Sequence, residues 1–158
     1  MNGVNLVLDI LGMEEVYRRF LTKLGYRHRE IKNFLVGPAY DAWFYMSNIC
    51  GIGGPIHDDF CFEKCELARK NHRRMQTLGM NIVLQAYTGI VPRDIQKKDR
   101  DVPVIEQGKW KGIERPLIVS PDSVAYSKYA KLFYECQREV FGDITHFYAG
   151  DICHEGGK

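Results

Sequence analysis

Apolar residues follow two rhythms along this chain. In three stretches they are nearly continuous: Asn5-Leu6-Val7-Leu8-Asp9, the run from Asn81 to Tyr87, and the run from Ile144 to Ala149. Unbroken rather than alternating apolarity suits strands buried on both faces of a parallel sheet. Elsewhere the apolar positions fall at helical spacing. Met13, Val16, Tyr17, Phe20, Leu21 and Leu24 trace one helical face. Glu14 and Glu15 stand in its first turn, Arg18, Arg19 and Lys23 stand later, and Gly25 is a natural C′ residue.

The same spacing predicts a short helix over 29–35, a helical turn or two over 39–46, and a long helix from Asp58 to Leu78 stopped by Gly79. The long helix turns Cys61, Cys65, Ala68, His72 and Met75 inward and leaves Arg69, Lys70, Arg73 and Arg74 to solvent. A last helix starts at Pro121-Asp122, is apolar at Tyr126, Tyr129, Ala130, Phe133, Cys136 and Val140, and ends at Gly142. Residues 93–115 are charged and irregular, with Val102, Val104, Ile105 and Trp110 as apolar anchors. A connection that long reads as a functional or mobile loop. The order strand, helices, strand, loop, helix, strand is that of an α/β protein with parallel strands joined by right-handed crossovers. Three strands leave edges and helix faces uncovered, so the chain is expected to be an arc of something larger.

Composition narrows the function classes. With 158 residues, 45% of them apolar, the chain can bury a real core. A net charge of +2 with interleaved signs carries no footprint for nucleic acid or for a membrane surface. No apolar run is long enough to cross a bilayer, and the first residues do not read as a signal peptide. The five cysteines, at 50, 61, 65, 136 and 153, lack paired zinc spacing; Cys61 and Cys65 read as packing on one helix face.

Candidate chemistry gathers at the end of the chain. The final strand breaks at Gly150 and delivers Asp151, His154 and Glu155 within five residues. In parallel α/β proteins ligands bind beyond the carboxyl ends of the strands. This spacing accommodates a catalytic acid held by a neighbouring carboxylate, a metal site of histidine and carboxylates, or loop carboxylates without a role. Trp43 and Trp110 fit either sugar stacking or ordinary core. His72 reads as a core histidine, and Tyr87 and Tyr148 as packing.

The ordered runs carry a resemblance. Asn2-Gly3-Val4-Asn5-Leu6 through Gly12-Met13-Glu14-Glu15-Val16-Tyr17 comes first, then Gly37-Pro38-Ala39-Tyr40-Asp41-Ala42-Trp43-Phe44-Tyr45-Met46-Ser47-Asn48. Gly79-Met80-Asn81-Ile82-Val83-Leu84, Gly89-Ile90-Val91-Pro92 and Tyr148-Ala149-Gly150-Asp151-Ile152-Cys153-His154-Glu155 follow. In order and spacing these resemble the α-N-acetylglucosaminidases, glycoside hydrolase family 89. The resemblance implies a fragment of a (β/α)₈ TIM-barrel catalytic domain over 1–158, holding about the second to fourth strands and lacking the first strand and the C-terminal half. It implies an exo-acting, retaining glycosidase that removes terminal α-linked N-acetylglucosamine from glycosaminoglycan (heparan sulfate) or mucin-type glycans. Glu155 then matches the general acid/base, and the nucleophile has no counterpart in the chain. Trp43 and Met46 match residues that contact the sugar, Trp110 looks like a further aromatic wall, and Asp151 and His154 join the substrate-binding set. His154 stands where some members have asparagine, and both can bond a sugar hydroxyl; Ile90 replaces a histidine of other members and removes a polar role there. No cofactor or metal is implied, and family members act in lysosomes or outside bacterial cells. The alternative is a non-catalytic remnant, or a sugar-binding or interaction module, because one carboxyl group cannot run a double displacement. The isolated chain is expected to be inactive and poorly soluble.

Overall fold

The apolar stripe Met13, Val16, Tyr17, Phe20 and Leu21 is fully buried along α1 (Met13–Lys23) in a computed structural model that describes residues 5–151. β1 (Leu6–Leu8) precedes it; α2 (His28–Phe34), α3 (Asp41–Tyr45) and α4 (Asp58–Thr77) follow. β2 (Asn81–Gln85) leads to β3 (Ile90–Val91), β4 (Val104–Glu106), β5 (Lys109–Trp110), β6 (Ile113–Glu114) and β7 (Leu117–Val119). α5 (Val124–Phe141) and β8 (Phe147–Ala149) close the described chain. The long helix α4 buries Cys65, Ala68 and His72 of the inner face that its spacing predicts, while Cys61 and Met75 are half-buried. Arg69, expected on the solvated face, is half-buried too, its Nε donating to the Val140 carbonyl at 2.8 Å.

The three continuous apolar runs become one parallel sheet in the order β1-β2-β8, with Leu6 opposite Asn81 and Val83 opposite Phe147. Helices cover one side of it. α1 packs on α5, α2 and α4, and α4 lies on β2. Where α1 meets α5, Phe133 sits edge-on to Tyr17 and Phe20 at 5.2 and 5.7 Å. Tyr129 stands edge-on to Phe20 at 6.0 Å. Each such pair contributes about 1 kcal/mol beyond its area burial. Gly12, at φ +78°, lets the start of α1 pass against α4, because a Cβ there would lie 2.9 Å from the Cys65 Cα.

Four expectations are corrected. First, β1 and β8 are not buried on both faces: Leu6 and Leu8 are more than half exposed, and Phe147 and Tyr148 stand open on β8. Among the described strands of this sheet, the middle one, β2, has neighbours on both edges and a buried interior. Second, the last strand begins at Phe147 rather than Ile144. Thr145 turns inward, its hydroxyl donating to the Ile82 carbonyl and accepting from the Phe147 amide. Third, residues 93–115 are not irregular. β3 and β4 flank β7 in an antiparallel sheet, and β5 and β6 form a hairpin. Fourth, α5 starts at Val124, capped by Ser123, whose hydroxyl accepts from the Tyr126 amide at 3.1 Å.

His72 lies buried with its Nε2 2.8 Å from the Asp9 carboxylate, in ion-pair range although the two make no aligned hydrogen bond. That agrees with a core histidine. Among the described residues Cys50, Cys61, Cys65 and Cys136 are free thiols, and no helix is long and apolar enough to cross a membrane.

Candidate functional site

Parallel pairing puts the carboxyl ends of β1, β2 and β8 on one side, and a cleft of about 220 Å³ opens there. Ile10, Gln85 and Asp151 come to it from the three strand ends, and Tyr45 and Met46 face them from α3. The cleft is smaller than a usual ligand pocket, but its lining is of the usual kind, mostly apolar with a few polar groups converging. Two residues singled out from the sequence, Met46 and Asp151, are thereby brought together.

The α3 wall is held from three directions. Gly37, which leads into it, has no room for a side chain: a Cβ would lie 2.1 Å from the Gly53 carbonyl oxygen. Its amide donates to the Ile52 carbonyl at 2.7 Å. At the first residue of α3, the Asp41 carboxylate accepts from Lys64 Nζ at 2.6 Å, and the same ammonium bonds the buried Glu14 of α1. At the far end, Gln85 Nε2 donates to the Tyr45 carbonyl at 3.3 Å, and the Ser47 hydroxyl donates to Thr88 Oγ1 at 3.3 Å. Ser47 is fully buried at φ +63°, a conformation that a non-glycine residue keeps only where its surroundings impose it.

Burial sets the electrostatics of this wall. It raises the Glu14 carboxyl above its usual value, and Lys64 opposes that by hydrogen bond and charge. Burial, followed by the charges of Glu14 and Asp41, pushes the Tyr45 phenol well above its usual range, so Tyr45 stays protonated and serves as wall rather than base.

The two tryptophans also meet. Trp43 on α3 and Trp110 on β5 pack with ring centroids 6.3 Å apart and planes at 42°, and Trp43 remains 39% exposed. Neither lines the cleft of Met46 and Asp151; together they form an aromatic ledge between the hairpin and α3, the helix that walls the cleft. The hairpin delivers Trp110. Lys111 and Gly112, at φ +50° and +84°, make its two-residue turn, matching the twist of paired strands.

Two residues missed in the sequence hold this hairpin. Arg93 donates to the Arg115 carbonyl and to Glu106, both at 3.2 Å, across the hairpin's base. Gln107 is buried, and its Nε2 donates to the carbonyls of Pro116 at 2.9 Å and Ser47 at 3.3 Å. Gly112 between Trp110 and Ile113 marks a turn in the sequence, but it points to the hairpin and to neither of the residues that hold it.

Glu155 and His154, and with them the metal alternative built on Asp151, His154 and Glu155, lie outside the described residues. Among those described, no group of three histidine, cysteine or acidic side chains is placed to hold a metal. A larger cavity of about 420 Å³ lies between α1, α2 and α4, with Ile31, Leu35 and Phe62 in its lining. No strand residue lines it, so it is separate from the strand-end cleft.

Comparison with known proteins gives the arrangement its setting. Residues 1–158 match the family described as "Alpha-N-acetylglucosaminidase (NAGLU) tim-barrel domain". Human α-N-acetylglucosaminidase is 28% identical over 98% of the chain, which covers 21% of that protein. A family 89 glycoside hydrolase of Clostridium perfringens, solved with 2-acetamido-1,2-dideoxynojirmycin, superposes with a TM-score of 0.92 at 51% identity, covering all of this chain and 18% of that one. A form of the Clostridium perfringens enzyme with two Glu→Gln substitutions, in complex with its substrate GlcNAc-α-1,4-galactose, is 50% identical with a TM-score of 0.92, over the same shares. The chain spans about a fifth of the length of the relatives it matches.

Proposed function

Since the chain belongs to the α-N-acetylglucosaminidase family, we propose that it supplies the second to fourth strands of a (β/α)₈ barrel, and with them one wall of the active site of an exo-acting, retaining α-N-acetylglucosaminidase. The observation that carries this reading is the strand-end cleft, where Met46 and Asp151 converge just before the chain reaches Glu155. TIM-barrel sites form on this face. The solved relative in complex with its substrate GlcNAc-α-1,4-galactose points to a terminal α-linked N-acetylglucosamine as the group removed.

In this reading Glu155 protonates the leaving glycosidic oxygen while a second glutamate, from chain outside these 158 residues, attacks the anomeric carbon. A covalent glycosyl-enzyme forms. Glu155, now ionised, takes a proton from water, which releases the sugar with its configuration retained. Trp43, Met46 and Trp110 offer apolar surface to the pyranose C–H faces, and Asp151 and His154 bond its hydroxyls.

The test is hydrolysis of an aryl α-N-acetylglucosaminide by the full-length protein that carries this chain. Glu155→Gln is expected to lower turnover by about 10²–10⁴-fold, the usual contribution of a positioned acid. An aryl substrate with a good leaving group needs less acid help in the first step, so its defect is smaller than that of a natural glycan. Turnover of both substrates untouched by Glu155→Gln would sink the assignment.

A further inference from the structure

We propose that Gln107 is a positioning residue for the aromatic ledge, fixing the distance between Trp43 and Trp110. The geometry is specific. Gln107 stands at the entry of the hairpin that carries Trp110, and Pro116 stands just beyond its exit. One buried Nε2 donates to the Pro116 carbonyl, which closes the hairpin's base, and to the Ser47 carbonyl, which ties that base to the chain following Trp43 and Met46.

The Ser47 carbonyl belongs to a residue held at φ +63°, and its hydroxyl is in turn bonded to Thr88 beyond β2. Gln107 thus joins three elements that do not otherwise share a strand or helix: the hairpin, the end of α3 and the loop after β2. Arg93 clasps the same base from outside but is 40% exposed, where a charge-assisted contact is weakened by solvent. The buried amide is the stronger of the two ties, because losing it would leave two buried carbonyls short of a donor.

The consequence for binding rests on the glycosidase reading above. A pair of indoles can grip a sugar face only at a set spacing, and contacts that hold substrate and transition state equally alter KM rather than kcat.

Two readouts test this on the full-length protein. The first needs no activity: the exciton couplet of the Trp43–Trp110 pair, isolated as the circular-dichroism difference between the wild type and Trp43→Phe. Gln107→Met, which keeps the volume and removes the donor, is expected to reduce that couplet by at least about half, as the ring separation ceases to be fixed. The second is the kinetics, where KM for the aryl glycoside is expected to rise about tenfold with kcat within about twofold. An unchanged couplet in Gln107→Met overturns the proposal, and so does a lost couplet with unchanged KM in an active enzyme. If the wild type does not hydrolyse the substrate, the glycosidase reading fails and the couplet still decides the positioning role. If Gln107→Met does not fold, exchange of the wild-type Gln107 side-chain amide decides it: protection is expected, and exchange at the rate of a free amide overturns it.

Discussion

Lys64 shows how much of the site's geometry hangs on single residues. Its ammonium lies between Glu14 of α1 and Asp41 of α3, with its side chain only 11% exposed. Replacing it with methionine leaves two carboxylates facing each other without a cation. We expect Lys64→Met to destabilise the protein by about 3 kcal/mol, the low end for breaking a buried ion pair. Adding Glu14→Gln should recover more than half of that loss. The pH dependence follows from Glu14, whose carboxyl is raised by burial and held down by Lys64. A carboxyl raised in the folded state favours folding below its unfolded value of 4.5, and that contribution is lost as pH rises through the folded value. Without Lys64 the folded value climbs further. The Lys64→Met penalty should therefore be full at neutral pH and shrink in acid as Glu14 takes up its proton. Thermal melts of both proteins from neutral pH to about pH 4 check this; a penalty that grows on acidification contradicts it.

At the scale of elements, the sequence is legible where one rhythm runs long enough to be unambiguous. The stripes of α1, α4 and α5 and the runs of β1 and β2 are each carried by several residues in register. The sheet of β3, β7 and β4 is not, because its strands are two or three residues long and their pairing is set by partners far along the chain. Trp43 and Met46 could be picked out because they sit in a dense motif. Gln107 could not, since its role depends on where Ser47 and Pro116 come to lie. The glycine of that motif has a physical reason that only the folded chain reveals. Gly37 passes so close to Gly53 that any side chain must displace backbone. Gly37→Ala should cost about 3 kcal/mol, at the upper end for overpacking, and should shift α3 with the wall it carries. A melting temperature within a degree of wild type, with kinetics unchanged, contradicts that account.

At the scale of the whole molecule the sheet is open. Among the described residues, β1 and β8 each pair along one edge only, and they expose Leu6, Leu8, Phe147 and Tyr148. Unpaired strand edges beside apolar surface invite association with other chains. The 158-residue chain on its own should associate as its concentration is raised, and the longer protein that carries it should not. Sedimentation velocity over a dilution series distinguishes them. A sharp monomer for the isolated chain at its highest concentration would show that these edges are harmless.

The same sheet also imposes a timetable. Leu6 pairs with Asn81, roughly 75 residues later, and Val83 with Phe147, more than 60 later. During synthesis at roughly 5–20 residues per second, β1 emerges from the ribosome about 4 to 15 seconds before β2 does. α1 and α2 need only neighbouring sequence and fold in far less than a millisecond. The first strand of this sheet is thus the earliest made and among the last to find its place, and slowing translation ahead of Asn81 prolongs the interval in which a sticky Leu-Val-Leu segment is most exposed to chaperones.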